Sequence, residues 1–285
     1  MSALDPADAP ALERAALRAS RLDSPYALQR YVHEAKFRHL LRLLEPGETL
    51  LEVGRGGSVD GVFAVLAAVR GHRVAISVPD DDHARALRAY AHERGVAGRT
   101  TVVTGAPDAL PLPARSFDVV ASLHVLEHVR DPAAVVAEIC RLTRDRGIVA
   151  LPTCLNAAAV CRLGGGNPYR PGRDSARTFL RGSLKLLSAL VRRADGLAET
   201  QIQDGVPWRH EWLFPWAMKR RLTGYGTEIR HFGADALCIP WSASLIPVMR
   251  LLDRLNAAPV ANLFGMGSHA VISEKRRKAT SEEQQ

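Results

Sequence analysis

The stretch Leu110-Pro111-Leu112-Pro113-Ala114-Arg115-Ser116-Phe117-Asp118-Val119-Val120-Ala121-Ser122-Leu123-His124-Val125-Leu126-Glu127-His128-Val129-Arg130-Asp131-Pro132 decides the fold. Phe117 to Leu123 is a short apolar run, the pattern of a strand buried on both faces. Asp131-Pro132 marks a helix start: an N-cap, then proline at a first-turn position where its missing N–H costs nothing. Between strand and helix, His124, Glu127 and His128 place three titratable side chains in one loop.

Upstream the same rhythm repeats. Thr49 to Val53 is an apolar run stopped by Gly54-Arg55-Gly56-Gly57-Ser58, and an apolar helix is predicted over Val59 to Val69. Such a turn lets backbone approach a ligand closely and leaves helix N–H groups without partners. Strands are predicted at Arg73–Val78, Thr100–Val103 and Gly147–Leu151, with a helix at His83–Arg94. Ahead of them, Tyr26 to Leu44 has apolar residues at helical spacing and ends at Glu45-Pro46-Gly47. Strands alternating with helices call for an α/β fold, doubly wound and Rossmann-like, with a seven-stranded, mostly parallel sheet. The rhythm breaks after Pro152. Residues 156–208 read as a cap insertion with one helix near Ser183–Arg193. A helix at Phe214–Leu222 and strands at Thr227–Phe232 and His269–Ser273 complete the sheet.

The whole of 1–274 is therefore expected to be one domain. Its parts are N-terminal helices (1–45), a ligand-binding core (46–155), the cap (156–208) and the C-terminal part of the sheet (209–274). The polar tail 275–285 is expected to be disordered.

Composition narrows the class. Among 285 residues, 47% are hydrophobic and 24% charged, which excludes disordered and fibrous chains. The four cysteines, at 140, 154, 161 and 238, form no CxxC pair, which fits a reducing compartment. The first twenty residues lack the apolar core of a signal peptide. The apolar stretch Ala236–Met249 contains Pro240 and Pro247 and is too short to span a bilayer. A cytoplasmic protein is expected, with peripheral membrane contact left open for 236–264. The net charge is +8, yet only five of the 38 basic residues are lysine, a bias of genome composition more than of polyanion binding. No DNA partner is expected, and RNA is disfavoured because no aromatic-interleaved basic motif accompanies the charge. Oligomeric state is not legible.

The glycine turn, the LPLP segment, FDVV and HVLEHV, in this order, resemble the class I S-adenosylmethionine-dependent methyltransferases, especially their small-molecule and lipid-precursor branch. The resemblance covers 30–155 well. It covers 209–274 loosely, through His210-Glu211-Trp212-Leu213-Phe214 and Gly224-Tyr225-Gly226. A dinucleotide fingerprint fits less well, because its third glycine falls on Val59.

The resemblance implies S-adenosyl-L-methionine as cofactor, with Glu52, Gly54 and Gly56 at its methionine end. Ser77 stands where the family has the acid that binds the ribose hydroxyls, with Asp80, Asp81 and Asp82 just beyond. Ala106 stands where an acid contacts the adenine amino group, with Asp108 two residues on. Leu110 is implied beside adenine, and Leu123 and His124 beside the methyl group; Arg55 departs from the family, which has a small residue or Cys there, and could instead pair with the cofactor carboxylate. Each missing charge-assisted bond is worth about 1.5–3 kcal/mol. Three readings stay open: a methyltransferase of a small or lipid-like acceptor, acting at oxygen; a methyltransferase-like binding protein with weakened or lost catalysis; and an RNA methyltransferase.

His124 is the candidate general base, and Glu127 and His128 are expected to orient its loop and cap the next helix. Some relatives hold magnesium with two acids and a histidine here. His124 replaces the first acid and suits that ion poorly, so no metal is expected. The acceptor pocket is expected from Tyr31, His33 and 156–216. There Trp208, His210, Trp212, Phe214 and Trp216 form either a core cover or an aromatic lid.

Overall fold

A computed structural model describes residues 24–56, 60–203, 206–255, 258, 261 and 264–275. The expected helical lead before residue 23, Ser58 of the glycine turn and the tail beyond Lys275 lie outside them. The strands, in chain order, are β1 (Thr49–Val53), β2 (Arg73–Val78), β3 (Thr100–Thr104), β4 (Phe117–Leu123), β5 (Thr143–Pro152), β6 (Gly196–Gln203), β7 (Val206–Leu213), β8 (Thr227–Ala234) and β9 (Gly267–Glu274). Seven of them form one sheet in the order β3-β2-β1-β4-β5-β9-β8, and β6 with β7 makes a separate hairpin. β1 to β5 pair in parallel; β9 runs antiparallel to both β5 and β8. The chain moves outward from β1 to β3 and returns to β4 on the other side of β1. That reversal opens a crevice at the carboxyl ends of β1 and β4, where doubly wound sheets bind ligands.

Alternation along β1 sends Leu50 and Leu51 to opposite faces, each with its own core. On Leu50's side lie α1 (Ala27–Leu41), α2 (Val62–Val69) and α3 (Asp81–Glu93). All eight residues of α2 are buried, as expected of a uniformly apolar helix sandwiched between sheet and α1. On Leu51's side lie α4 (Pro132–Leu142) and, beyond the cap, α7 (Pro215–Gly224). Asp131 caps α4 through the Ala134 N–H at 3.0 Å, as its position before proline predicts.

β5 starts four residues earlier than its apolar run. The register of β4 against β5 shifts between Phe117 and Val119, and Thr143 Oγ1 donates to the Asp118 carbonyl at 3.1 Å. A bulge with hydroxyl support lets polar residues extend the strand.

The cap differs more. In place of one helix it has α5 (Ala157–Leu163), α6 (Ser175–Val191) and the β6–β7 hairpin, which runs on to Leu213. α6 begins eight residues before Ser183 because Gly182 lies inside it as a packing residue. A Cβ there would lie 1.9 Å from the Val160 carbonyl of α5. Glycine lets the two helices approach that closely, although its propensity argues for a helix end. After β8, α8 (Ile246–Leu252) precedes β9.

Candidate functional site

On the β1–β2 side of the crevice, the polar groups are tied to other parts of the chain. Glu52 is buried, and its two oxygens accept the Gly61 N–H at 3.0 Å and the Ala64 N–H at 2.7 Å. It thereby caps the start of α2 from within the sheet. Burial pushes its carboxyl up to about 8, against the pull of those two bonds. Asp60 Oδ2 accepts the Arg55 and Gly56 N–H groups, both at 2.7 Å, and so closes the glycine turn on itself. Gly54 donates to both the carbonyl and the hydroxyl of the fully buried Ser77, at 3.1 and 3.2 Å. A Cβ on Gly54 would lie 2.6 Å from the Ser77 carbonyl. Gly56 has φ of 90° and faces the His83 ring, 2.8 Å from where a Cβ would stand.

Asp80 is the N-cap of α3. It accepts the His83 N–H at 3.0 Å and holds His83 Nδ1 at 2.8 Å, and these bonds keep its carboxyl below the usual range. Asp80 therefore serves its own helix and the histidine over the turn. Ala106 and Asp108 are exposed in a tight turn after β3, bridged between Ala106 and Ala109. Leu110 is buried against α4, its N–H donated to Glu138 at 2.9 Å. Arg141 holds Glu138 and also reaches the carbonyls of Leu110 and Leu112, clamping the LPLP segment onto α4. Leu123 is buried in the core on the α1–α3 side.

The β4 side is built differently. His124 stands immediately after β4 with φ of 58°, a left-handed backbone that is rare for a non-glycine residue and clusters at functional sites. Its N–H is held by the Ala150 carbonyl at 2.9 Å. Its Nδ1 lies 3.0 Å from Glu127 Oε1, in an ion pair whose carboxylate is 2% exposed against 26% for the imidazole. Burial pushes the Glu127 carboxyl up, but the His124 hydrogen bond and the His124 and His128 charges outweigh it and hold it below the usual value. An ionised Glu127 can only accept, so Nδ1 carries the hydrogen, and in the neutral ring the lone pair is then on Nε2. Glu127 Oε2 is buried and accepts no hydrogen bond among the described residues.

His128 lies 3.7 Å from Glu127 Oε1 through Nε2, and its ring packs on His210 of β7 at 5.1 Å. Burial drives its pKa down to about 4, and the nearby Arg55 charge adds to that. His128 is neutral at ordinary pH. Among the described residues no group of three or more His, Cys, Asp or Glu is arranged to hold a metal ion.

Two expectations for the acceptor pocket resolve into packing. Tyr31 is buried in a satellite core and donates its hydroxyl to Asp253. Trp212 and Phe214 are buried beneath the cap, whereas Trp216 is 45% exposed and stacks on Phe214 at 4.6 Å. The cap reaches the site instead through His210, which bridges Trp212 and His128. The side chain of Trp208 lies outside those described.

One group at the site escaped sequence reasoning. Lys36 of α1 feels the charges of Asp235, Glu127 and Glu52. Burial lowers its pKa, against those three carboxylates. It donates no hydrogen bond to any of them among the described residues. Asp235 in turn accepts from His269 Nδ1 at 3.1 Å and feels the His124 charge. Lysine at one position of an amphipathic helix carries no signal by itself; only the docking of α1 against the sheet brings it to β4.

Comparison with known proteins follows this geometry. Residues 51–151 match the methyltransferase domain family. The matched stretch runs from β1 into β5. Among curated relatives, a ubiquinone biosynthesis O-methyltransferase of Pseudomonas paraeruginosa is 36% identical over 107 residues, 38% of this chain and 44% of that one. A probable S-adenosylmethionine-dependent methyltransferase of Mycobacterium tuberculosis is 34% identical over 132 residues, 46% of this chain and 42% of that one. The chain thus spans less than half the length of the curated relatives it matches. Among solved structures, a SAM-dependent methyltransferase of Methanosarcina mazei superposes with a TM-score of 0.54 at 13% identity, covering 84% of this chain and 98% of that one. The glycopeptide N-methyltransferase MtfA, complexed with S-adenosyl-L-homocysteine, gives 0.52 at 12% identity, covering 84% and 89%. These structural likenesses show the fold.

Proposed function

We propose that the chain is an S-adenosylmethionine-dependent methyltransferase acting at a hydroxyl of a small-molecule or lipid-like acceptor. The observation that carries this reading is the His124–Glu127 pair at the carboxyl end of β4, beside the crevice between β1 and β4. A hydroxyl must lose its proton as it attacks, and His124 Nε2 is the free base. Glu127 fixes the imidazole through Nδ1 and stabilises the positive charge that His124 gains. The O-methyltransferase name of the Pseudomonas relative supports oxygen as the acceptor atom.

The chemistry of the donor set fits the cofactor at one end. S-adenosylmethionine, when bound, supplies an electrophilic methyl group on a sulfonium. Glu127 offers a buried, ionised carboxylate with one oxygen unbonded, which suits a cationic neighbour. Gly54 and Gly56 would hold the methionine end, with Leu123 beside the methyl group. Ser77 and Ala106 bring no charge to the ribose and adenine ends. Asp80–His83 and Asp108 are the polar groups nearest in the chain, and Glu52 acts by shaping α2.

That mismatch supports a second reading, a methyltransferase-like protein that binds a ligand without turnover. Calorimetric titration with S-adenosylmethionine, followed by methyl transfer to phenolic acceptors, separates the two. Binding with transfer that His124→Ala abolishes is the expected outcome. Absence of heat at millimolar cofactor would sink the enzyme reading.

A further inference from the structure

We propose that α6 and the segment around α8 form a docking surface for an anionic lipid bilayer. This rests on exposed faces outside the crevice and is independent of the methyltransferase reading.

α6 is apolar on two opposite faces. One packs on α5 through Gly182 and Ala189. The other is a stripe of Leu180, Leu184, Leu187 and Val191, which are 61%, 59%, 58% and 76% exposed. At about 100° per residue these four project within roughly 60° of one another. A soluble helix ordinarily covers that face with charge. An apolar stripe this long, left open among the described residues, marks an interaction surface.

The charges beside it say which kind. Residues 175–193 contain Arg177, Arg181, Lys185, Arg192 and Arg193 and no acid. Arg177 and Arg181 form no ion pair among the described residues. At helical spacing Arg177 and Arg181 follow one flank of the leucine stripe, from which their heads can reach a headgroup layer while their stems lie on apolar surface, whereas Lys185 Nζ turns back to donate to the Leu163 carbonyl at 2.7 Å.

The α8 segment repeats the pattern. Val248, Leu251, Leu252 and Leu255 are all more than 40% exposed. Arg254 accompanies them, Arg250 pairs with Glu34 of α1 at 3.5 Å, and the one acid between 236 and 258, Asp253, is turned inward onto Tyr31. Phe179 of α6 meets Trp241 edge-on at 6.2 Å, and Trp241 Nε1 donates to the Asn167 carbonyl. These contacts join the two elements.

A second copy of the chain is the poorer occupant. A two-fold interface on this surface would set one arginine flank near the other, with Asp174 at the start of α6 and Glu34, already paired with Arg250, as the acids at hand. An anionic bilayer supplies both what the leucines and what the arginines need. At about 1.5 Å per residue, α6 is some 25 Å long and would lie in the interface plane. No helix among the described residues is long and apolar enough to cross a membrane.

The test is co-sedimentation of the full chain with phosphatidylcholine vesicles, with and without one part in three phosphatidylglycerol. Binding is expected to the mixed vesicles and to weaken as salt is added. Leu184→Glu with Leu187→Glu is expected to weaken it roughly ten-fold or more, and Arg177→Glu with Arg181→Glu to remove the preference for phosphatidylglycerol. Thermal melting of each variant serves as the control for folding, with Leu184→Ser and Leu187→Ser as the milder pair. Wild-type protein that stays in the supernatant at low salt would overturn the proposal. So would leucine variants that bind as wild type does, or that convert a dimer to monomer in sedimentation equilibrium without changing vesicle binding.

Discussion

The two sides of the crevice are built on opposite plans. On the β1–β2 side, Glu52 answers Gly61 and Ala64, Asp60 answers Arg55 and Gly56, Ser77 answers Gly54, and Asp80 answers His83. On the β4 side, the His124 ring is held through Nδ1, and Glu127 keeps one buried oxygen without a partner among the described residues. The first side is satisfied without any ligand, so its residues define the shape of the turn. The second holds one buried carboxylate oxygen without a partner among the described residues, beside the left-handed backbone of His124.

The comparison can be broken in several ways. Gly54→Val is expected to have the largest effect. Its side chain has no room beside the Ser77 carbonyl, so binding of S-adenosylmethionine by calorimetry should vanish and the fold should lose about 1–3 kcal/mol to overpacking. Unchanged affinity would mean that the turn does not face the cofactor. His124→Ala should cut turnover by roughly 10²–10⁴-fold with little change in cofactor affinity. Loss of affinity with turnover intact would move His124 from catalysis to binding.

Ala106→Asp adds to an exposed position the acid that the resemblance implies. It should tighten S-adenosylmethionine roughly ten-fold, the worth of one charge-assisted bond. No gain would show that adenine lies elsewhere. The subtlest effect is on pH. Glu52 binds its proton more tightly in the folded chain, with a value near 8 against an ordinary 4.5. The stability linked to that proton is full below about 4.5 and declines as pH rises through about 8. Glu52→Gln should flatten this decline in melting temperature, while the carboxylates held low, such as Asp118 and Glu138, still lose their contribution as pH falls. A wild-type slope in the Gln variant would assign the decline to another group.

Legibility in the sequence follows the range of the interactions. The strand run Phe117–Leu123, the Asp131-Pro132 cap and the Gly54–Gly56 turn are local patterns, so their elements and their order are readable. His124 and Glu127 lie three residues apart, and their pairing is equally local. Asp80 misleads for the same reason. Its carboxylate lies near the expected ribose position, yet the His83 N–H three residues on is a nearer partner. The cap is where reading failed, because Gly182 signals a helix end by propensity and is a contact residue in space. Lys36 was invisible because α1 and β4 are remote in sequence.

By itself, then, the sequence determined the doubly wound sheet and the place of its crevice, both products of periodicity and short-range hydrogen bonding. The tertiary structure alone decided that Glu52 and Asp60 are consumed by their own turn. It alone carried Lys36 and His210 to the β4 end and left one face of α6 bare. Those outcomes depend on which surfaces meet, and a side chain's partner is settled by packing once every nearer donor and acceptor has been claimed.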